Sequence, residues 1–367
     1  MKQNNFIHLC NVECKKSIKT IAFTILIGLL CYIIPLLSMK ENSETTNIGL
    51  LIVILAISCY MIPIIQNGYK MNKRKVDRVY ALPISKRVLA HAKMVMGLLE
   101  IIISYTILYW FGFIVVVIKQ PQFQFRYYIP LYFIILLFAI IVYIFNFFIS
   151  SRANTIFDAI LLVILWSFVF LVIANLIQLF IEFFAIFSSD GFEKVDKLDV
   201  QCIPIFPFVE YGNFYNDWIV SRITDYRVTL YYTTDNPFQA IGIFSFIFYP
   251  ILGVISYLGL YIMSSKDRGE MAEEITSGIF GYQPLMALYL LYIVILSVVE
   301  LQYILFAIGI TMYLVLDVIH QRKFKMNKNS LVIMVVTVMI GIVLGIFFRE
   351  TVFANQMAGI SVIREIR

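Results

Sequence analysis

Residues 67–97 read NGYKMNKRKVDRVYALPISKRVLAHAKMVMG and lie between two long apolar runs. The stretch carries eight cations: Lys70, Lys73, Arg74, Lys75, Arg78, Lys86, Arg87 and Lys93. Positive charge this dense, beside apolar runs, marks a loop on the cytoplasmic side of a membrane. Pro83 has no N–H and pushes Leu82 out of the α region. A helix within Tyr69–Tyr80 is therefore predicted to stop near Ala81. Ser85 is then placed to N-cap a second helix that runs through Gly97 into the membrane. Residues 67–96 thus read as a docking elbow joined rigidly to a spanning helix.

The composition agrees with that reading. Of 367 residues, 61% are hydrophobic and 14% charged, where a soluble domain carries about 25% charge. Lipid cannot satisfy exposed backbone groups, so the spanning elements are helices. The apolar runs are continuous rather than alternating, which excludes a barrel. The fold class is an all-α polytopic membrane protein of about nine transmembrane helices, with the N-terminus inside and the C-terminus outside. The formal charge of +6 belongs to the topology signal and the anionic inner leaflet, a lipid partner, and makes no case for nucleic acid. Of the five cysteines, Cys31 and Cys59 fall inside apolar runs, Cys10 and Cys14 on the reducing side, and Cys202 outside without a partner. No disulfide and no metal site is expected.

Residues 1–19 read as a cytoplasmic interfacial helix or a loosely ordered tail. Thr20 to Met39 is free of charge for 20 residues and spans. Its apolar core is too long for a signal peptide, and Pro35 is expected to kink its outer end. Further spans are read at about 48–65, 97–118 and 129–149. The apolar run 156–187 holds 32 residues, about 48 Å as a straight helix against a core of about 30 Å. It is expected to tilt, to break, or to leave the bilayer near Asn175 or Leu176, with a short interfacial or re-entrant remainder. Residues 188–236 form the long outer loop. A sixth span, about 237–263, closes a six-helix core over 20–265. Residues 266–348 hold spans seven to nine, at about 284–298, 301–316 and 331–348. Residues 349–367 are an outer tail.

Charge tests this topology. Nineteen of the 29 Lys and Arg residues fall on inner segments, and the short outer loops hold only Lys40, Lys119 and Arg126. Short loops are where the positive-inside bias applies.

No catalytic motif is present. There is no Gly-x-x-x-x-Gly-Lys-Ser/Thr, so the chain lacks the usual means of holding ATP. His8, His91 and His320 sit at inner-face positions and read as interfacial. Glu100 and Asp317 lie near inner ends of spans and are expected to form structural ion pairs with Lys93 and Arg322. Asp158 suits the start of a helix. Asn146, Asn175, Gln178 and Glu182 could line a path; for Asn146 and Asn175, bridging between helices is the favoured reading.

On these residues the chain resembles the permease subunit of an ABC transporter of the ABC-2 (type V exporter) class from a Gram-positive bacterium. The likeness rests on an N-terminal surface segment and a basic loop with Asp77, Leu82-Pro83-Ile84-Ser85 and Lys86-Arg87. It rests also on the long segment before span six and on Lys266, Arg268, Glu270 and Ala272-Glu273 after it. It covers about residues 1–265 and extends loosely to 281; spans seven to nine depart from it. The resemblance implies a bacterial plasma-membrane exporter of an amphipathic or hydrophobic substrate (peptide, drug or lipid). It implies an ABC ATPase partner carrying ATP and Mg, no cofactor on this chain, and a second permease subunit in a homo- or heterodimer. Lys73, Arg74, Asp77, Arg78, Leu82, Pro83, Ser85, Arg268 and Glu270 would serve ATPase coupling, with a coupling helix in the elbow and span three as its lever.

Two rivals remain. A sensing or immunity permease of the same architecture would bind a peptide or antibiotic on residues 188–236. A polytopic glycosyltransferase-like enzyme would need outer-loop acids near the first spans, where only Glu41 and Glu44 stand.

Overall fold

The structure, a computed structural model, describes residues 2–38, 48–81, 84–119, 125–187, 243–266, 272–274, 276, 280–322 and 327–365. The long outer loop 188–236 lies outside them. Among the described residues every regular element is a helix, and eight helices are long and apolar enough to cross a membrane. The chain is an all-α, multi-pass membrane protein. Large apolar side chains such as Phe23, Ile57, Phe133 and Ile304 stand exposed, a surface at home in hydrocarbon and an aggregation liability in water. The chain divides into two units, Met1–Val163 with Pro204–Glu274, and Ile164–Ile203 with Ile275–Arg367.

The first unit opens with α1 (Lys2–Gly28), a π-helical turn (Leu29–Ile33) and α2 (Ile34–Ser38). The N-terminal segment is thus neither a separate surface helix nor a tail. No Gly or Pro occurs between Lys2 and Ile27, and nothing interrupts the helix. Pro35 shows its effect one turn earlier than a simple kink: the Ile34 N–H bonds Leu29 O, one residue beyond the α spacing. α3 (Ile48–Asn67), the short α4 (Lys73–Tyr80), α5 (Lys86–Lys119), α6 (Phe125–Ser150), the start of α7 (Ile156–Phe187) and α8 (Ile243–Met263) complete the unit.

Two kinds of contact hold these helices. α1 and its π turn approach α5 closely, with Gly28 against Leu108 and Gly112 against Tyr32, where an added Cβ would overlap the facing side chain. α3 and α6 are pinned by polar groups that lipid cannot satisfy. Asn146 Nδ2 donates to Cys59 O at 3.1 Å, and Asn67 Nδ2 to Phe147 O at 3.2 Å and Ser150 Oγ at 2.8 Å.

Of the three alternatives open to α7, a break is not the one taken. The helix is unbroken over 32 residues, because Ile156 to Phe187 contains neither Gly nor Pro. Within it Ile156–Ile177 is long and apolar enough to cross a membrane. Asp158 lies in its first turn, its N–H donated to Thr155 Oγ1 at 3.1 Å.

The second unit takes the later residues of α7 with α9 (Tyr282–Val299), α10 (Tyr303–Gln321) and α11 (Lys328–Glu365). Tyr289 OH donates to Leu165 O at 2.5 Å and Trp166 Nε1 to Phe280 O at 3.2 Å. Gly341 and Gly345 let α11 close on Val294 and Val298 of α9. α11 continues past Phe348 to Glu365. The segment read as an outer tail is therefore helical, in keeping with a stretch of 349–358 that has no Gly or Pro.

Candidate functional site

The elbow is built from short-range signals. Asn72 is extended, and its side chain accepts the Lys75 N–H at 3.3 Å, which starts α4 at Lys73, within the range expected. Ala81 caps its end; Leu82 and Pro83 lie outside the described residues. Ser85 caps α5, its Oγ accepting the Val88 N–H at 3.4 Å and its carbonyl the Leu89 N–H at 3.1 Å. Helix, break and helix follow in the predicted order, and α5 runs without interruption from Lys86 past Gly97 to Lys119.

α4 is amphipathic over two turns. Val76 is buried, and Val79, Tyr80 and Ile84 pack against Tyr69, Leu89 and Ala92. The Lys86 ammonium stands 4.8 Å from the Tyr80 ring centroid and that of Lys93 5.5 Å from Tyr69. This local core fastens α4 to the first turns of α5. Lys73, Arg74, Lys75, Asp77 and Arg78 are all exposed. The site residues on α4 are therefore presented together, whereas Ser85 serves as a cap.

Cations at the start of a helix oppose its dipole. Here a carboxylate arrives from the segment between α8 and α9. Glu273 Oε1 accepts the Lys73 N–H at 3.2 Å, while the Glu273 N–H donates to Asn154 O at 3.0 Å. Glu273 adopts φ 67°, a left-handed conformation that costs a non-glycine residue about 1–2 kcal/mol. The elbow, the turn after α6 and the segment after α8 thus meet at the first turn of α4. Arg268 and Glu270, the residues expected to contribute from that loop, lie outside the described residues. Glu273 was visible only as part of the motif, since an exposed loop acid carries no sequence mark of a cap two hundred positions away.

Behind the elbow the ion pairing differs from expectation. Lys93 pairs with Glu13, at 2.6 Å, and Glu13 also pairs with Lys16, at 3.0 Å. Glu100 lies two turns deeper, about 10 Å along the helix, is 1% exposed, and accepts from Gln66 Nε2 at 2.6 Å. The signal for Glu13 was there: it is the lone acid among Lys15, Lys16 and Lys19. Asp317 likewise takes both its hydrogen bonds from Gln321, at 2.8 Å each, in place of an Arg322 pair.

Asn146 is wholly buried and bridges α6 to α3, the favoured reading. Asn175 donates to Leu171 O of its own helix at 2.9 Å. The side chains of Gln178 and Glu182 lie outside the described residues. Of the histidines, His91 sets its ring edge against Tyr257 and Tyr261. His320 is buried beside Tyr282 rather than solvated; the side chain of His8 lies outside the described residues. A void lined by Thr24, Leu51, Ser58, Ser104 and Leu108 has room for about one water. Among the described residues no group of three His, Cys, Asp or Glu side chains is placed to hold a metal ion. In comparisons with known proteins, no family model, no curated protein and no solved structure matches the chain.

Proposed function

We propose that the chain is the permease subunit of an ABC-2 type ABC transporter, driven by a separate ATPase that grips α4. The observation that carries this reading is the build of the elbow. An eight-residue helix with its charged side chains free is clamped by a small core onto a 34-residue helix that enters the membrane. A force applied to α4 reaches α5 through that core, which is the mechanical requirement of a helix that couples a soluble motor to a span. A basic loop that only binds lipid has no need of such a clamp.

In this reading the chain crosses a bacterial plasma membrane nine times, N-terminus inside and C-terminus outside. α8, 21 residues and about 31 Å long, is the sixth of these and adds to the eight helices already long enough to cross. The ATPase supplies ATP and Mg chemistry, a second permease completes the path, and the cargo is an amphipathic or hydrophobic peptide, drug or lipid. The chain itself performs no catalysis. The test is purification of the tagged chain with its native neighbours in mild detergent. A P-loop ATPase is expected to co-purify, and Arg74→Glu with Arg78→Glu is expected to strip it while leaving the permease folded. Recovery of the chain without an ATPase, at native expression and after crosslinking, would refute the proposal.

A further inference from the structure

The inner ends of α5 and α8 meet in a cluster that the coupling role leaves unused. The Arg87 guanidinium lies over the Tyr261 ring, 5.0 Å from its centroid, and Nη2 donates to Ser265 Oγ at 3.3 Å. Ser265 in turn donates to Ile262 O at 2.9 Å, which fixes its oxygen toward the guanidinium. One turn along α5, His91 sets its edge against Tyr257 and Tyr261 at 5.5 and 5.7 Å, with Nδ1 bonded to Arg87 O at 2.7 Å. The guanidinium is therefore oriented by stacking and by one hydrogen bond, and it is exposed.

A guanidinium offers five N–H donors, and among the described residues no carboxylate pairs with Arg87. Below it, toward the bilayer centre, α8 exposes Val254, Ile255 and Leu258, while Tyr257 and Tyr261 remain 39% and 47% exposed. An oriented cation, two tyrosines at the end of an apolar run and a bare aliphatic helix face beneath them follow the order of a lipid molecule read from its head to its tails.

We infer that Arg87, oriented by Tyr261 and Ser265, holds the phosphate of an anionic phospholipid, whose acyl chains lie along the outer face of α8. The planar fork of Arg87 suits two phosphate oxygens at once, and the stack on Tyr261 keeps that fork from swinging into solvent. The assignment rests on the inward-facing reading of the elbow and not on the ATPase. A soluble protein is disfavoured as occupant because the patch continues into the hydrocarbon-facing surface.

The purified full-length chain, given equal amounts of phosphatidylglycerol and phosphatidylcholine in detergent, provides the test by native mass spectrometry. Wild type is expected to retain phosphatidylglycerol over phosphatidylcholine. Arg87→Gln should cut phosphatidylglycerol retention about 5-fold, the effect of one charge at an anionic surface, without changing phosphatidylcholine. Ser265→Ala, an exposed change with little risk to folding, should lower it in the same direction, and Lys75→Gln on α4 should leave it unchanged. Equal retention of the two lipids, or wild-type retention in Arg87→Gln and Ser265→Ala, would overturn the assignment. So would full displacement by soluble glycerol phosphate, which would make the site one for a free anion. Both lipids reach every face of the protein in detergent, so the outcome reads the site. Labelling of Lys75→Cys in intact cells reads the orientation separately.

Discussion

At the scale of single residues, the polar groups inside this protein act as pins. Asn67 is 1% exposed and donates to three acceptors, Pro63 O, Phe147 O and Ser150 Oγ. Interhelical hydrogen bonds of this kind are worth about 0.6–1.7 kcal/mol in a membrane protein. Asn67→Ala is expected to destabilise the folded chain by about 1–2 kcal/mol in an unfolding titration in mixed micelles, and an unchanged midpoint would contradict the pinning role. Glu273 acts differently, since Glu273→Ala keeps the left-handed backbone and removes the carboxylate from the start of α4. Amide exchange at Lys73–Val76 should then quicken relative to the inner turns of α5; equal protection in both proteins would show that the cap does not hold α4. Asn146 could be read from sequence because a lone amide deep in an apolar run has to find a backbone acceptor. Asn67 could not be placed in the same way. It borders a charged segment, where polar residues pass for solvated ones, and only the packing of α6 removes it from water.

At the scale of elements, what the sequence disclosed depended on whether the deciding signal was local. Asn72, Ala81 and Ser85 set the ends of α4 and α5 within a few positions of themselves, and the two helices follow in the order read. For α7 the argument from bilayer thickness left a tilt, a break or an exit from the bilayer open, because thickness limits where a helix leaves the membrane and not where it ends. With no Gly or Pro in the run, the helix continued. Gly97 is the element-scale counterpart of these local signals. A Cβ there would stand 2.3 Å from the Tyr143 hydroxyl and 3.0 Å from Gln66 Cγ, so α5 approaches its neighbours as closely as it does only because this residue is glycine. Tyr143 is wholly buried, with its OH donated to Met94 O at 3.0 Å, and cannot simply swing aside. Gly97→Ala is expected to destabilise by about 1–3 kcal/mol through overpacking. Adding Tyr143→Phe should recover part of that loss. Additive losses in the double variant would place the strain elsewhere.

At the scale of the whole molecule, composition alone decided an all-α membrane protein, because hydrocarbon leaves the backbone no alternative to internal hydrogen bonding. The proposed function rests on a smaller feature, the basic elbow, which joins the densest run of cations to the long helix α5. The elbow account is tested most directly by a photo-crosslinking residue in place of Lys75, on the exposed side of α4, in cells that express the chain at its native level. The account predicts a single dominant adduct with a P-loop ATPase, lost when Arg74 and Arg78 are both changed to Glu. Adducts to lipid alone, or to no nucleotide-binding protein, would contradict it.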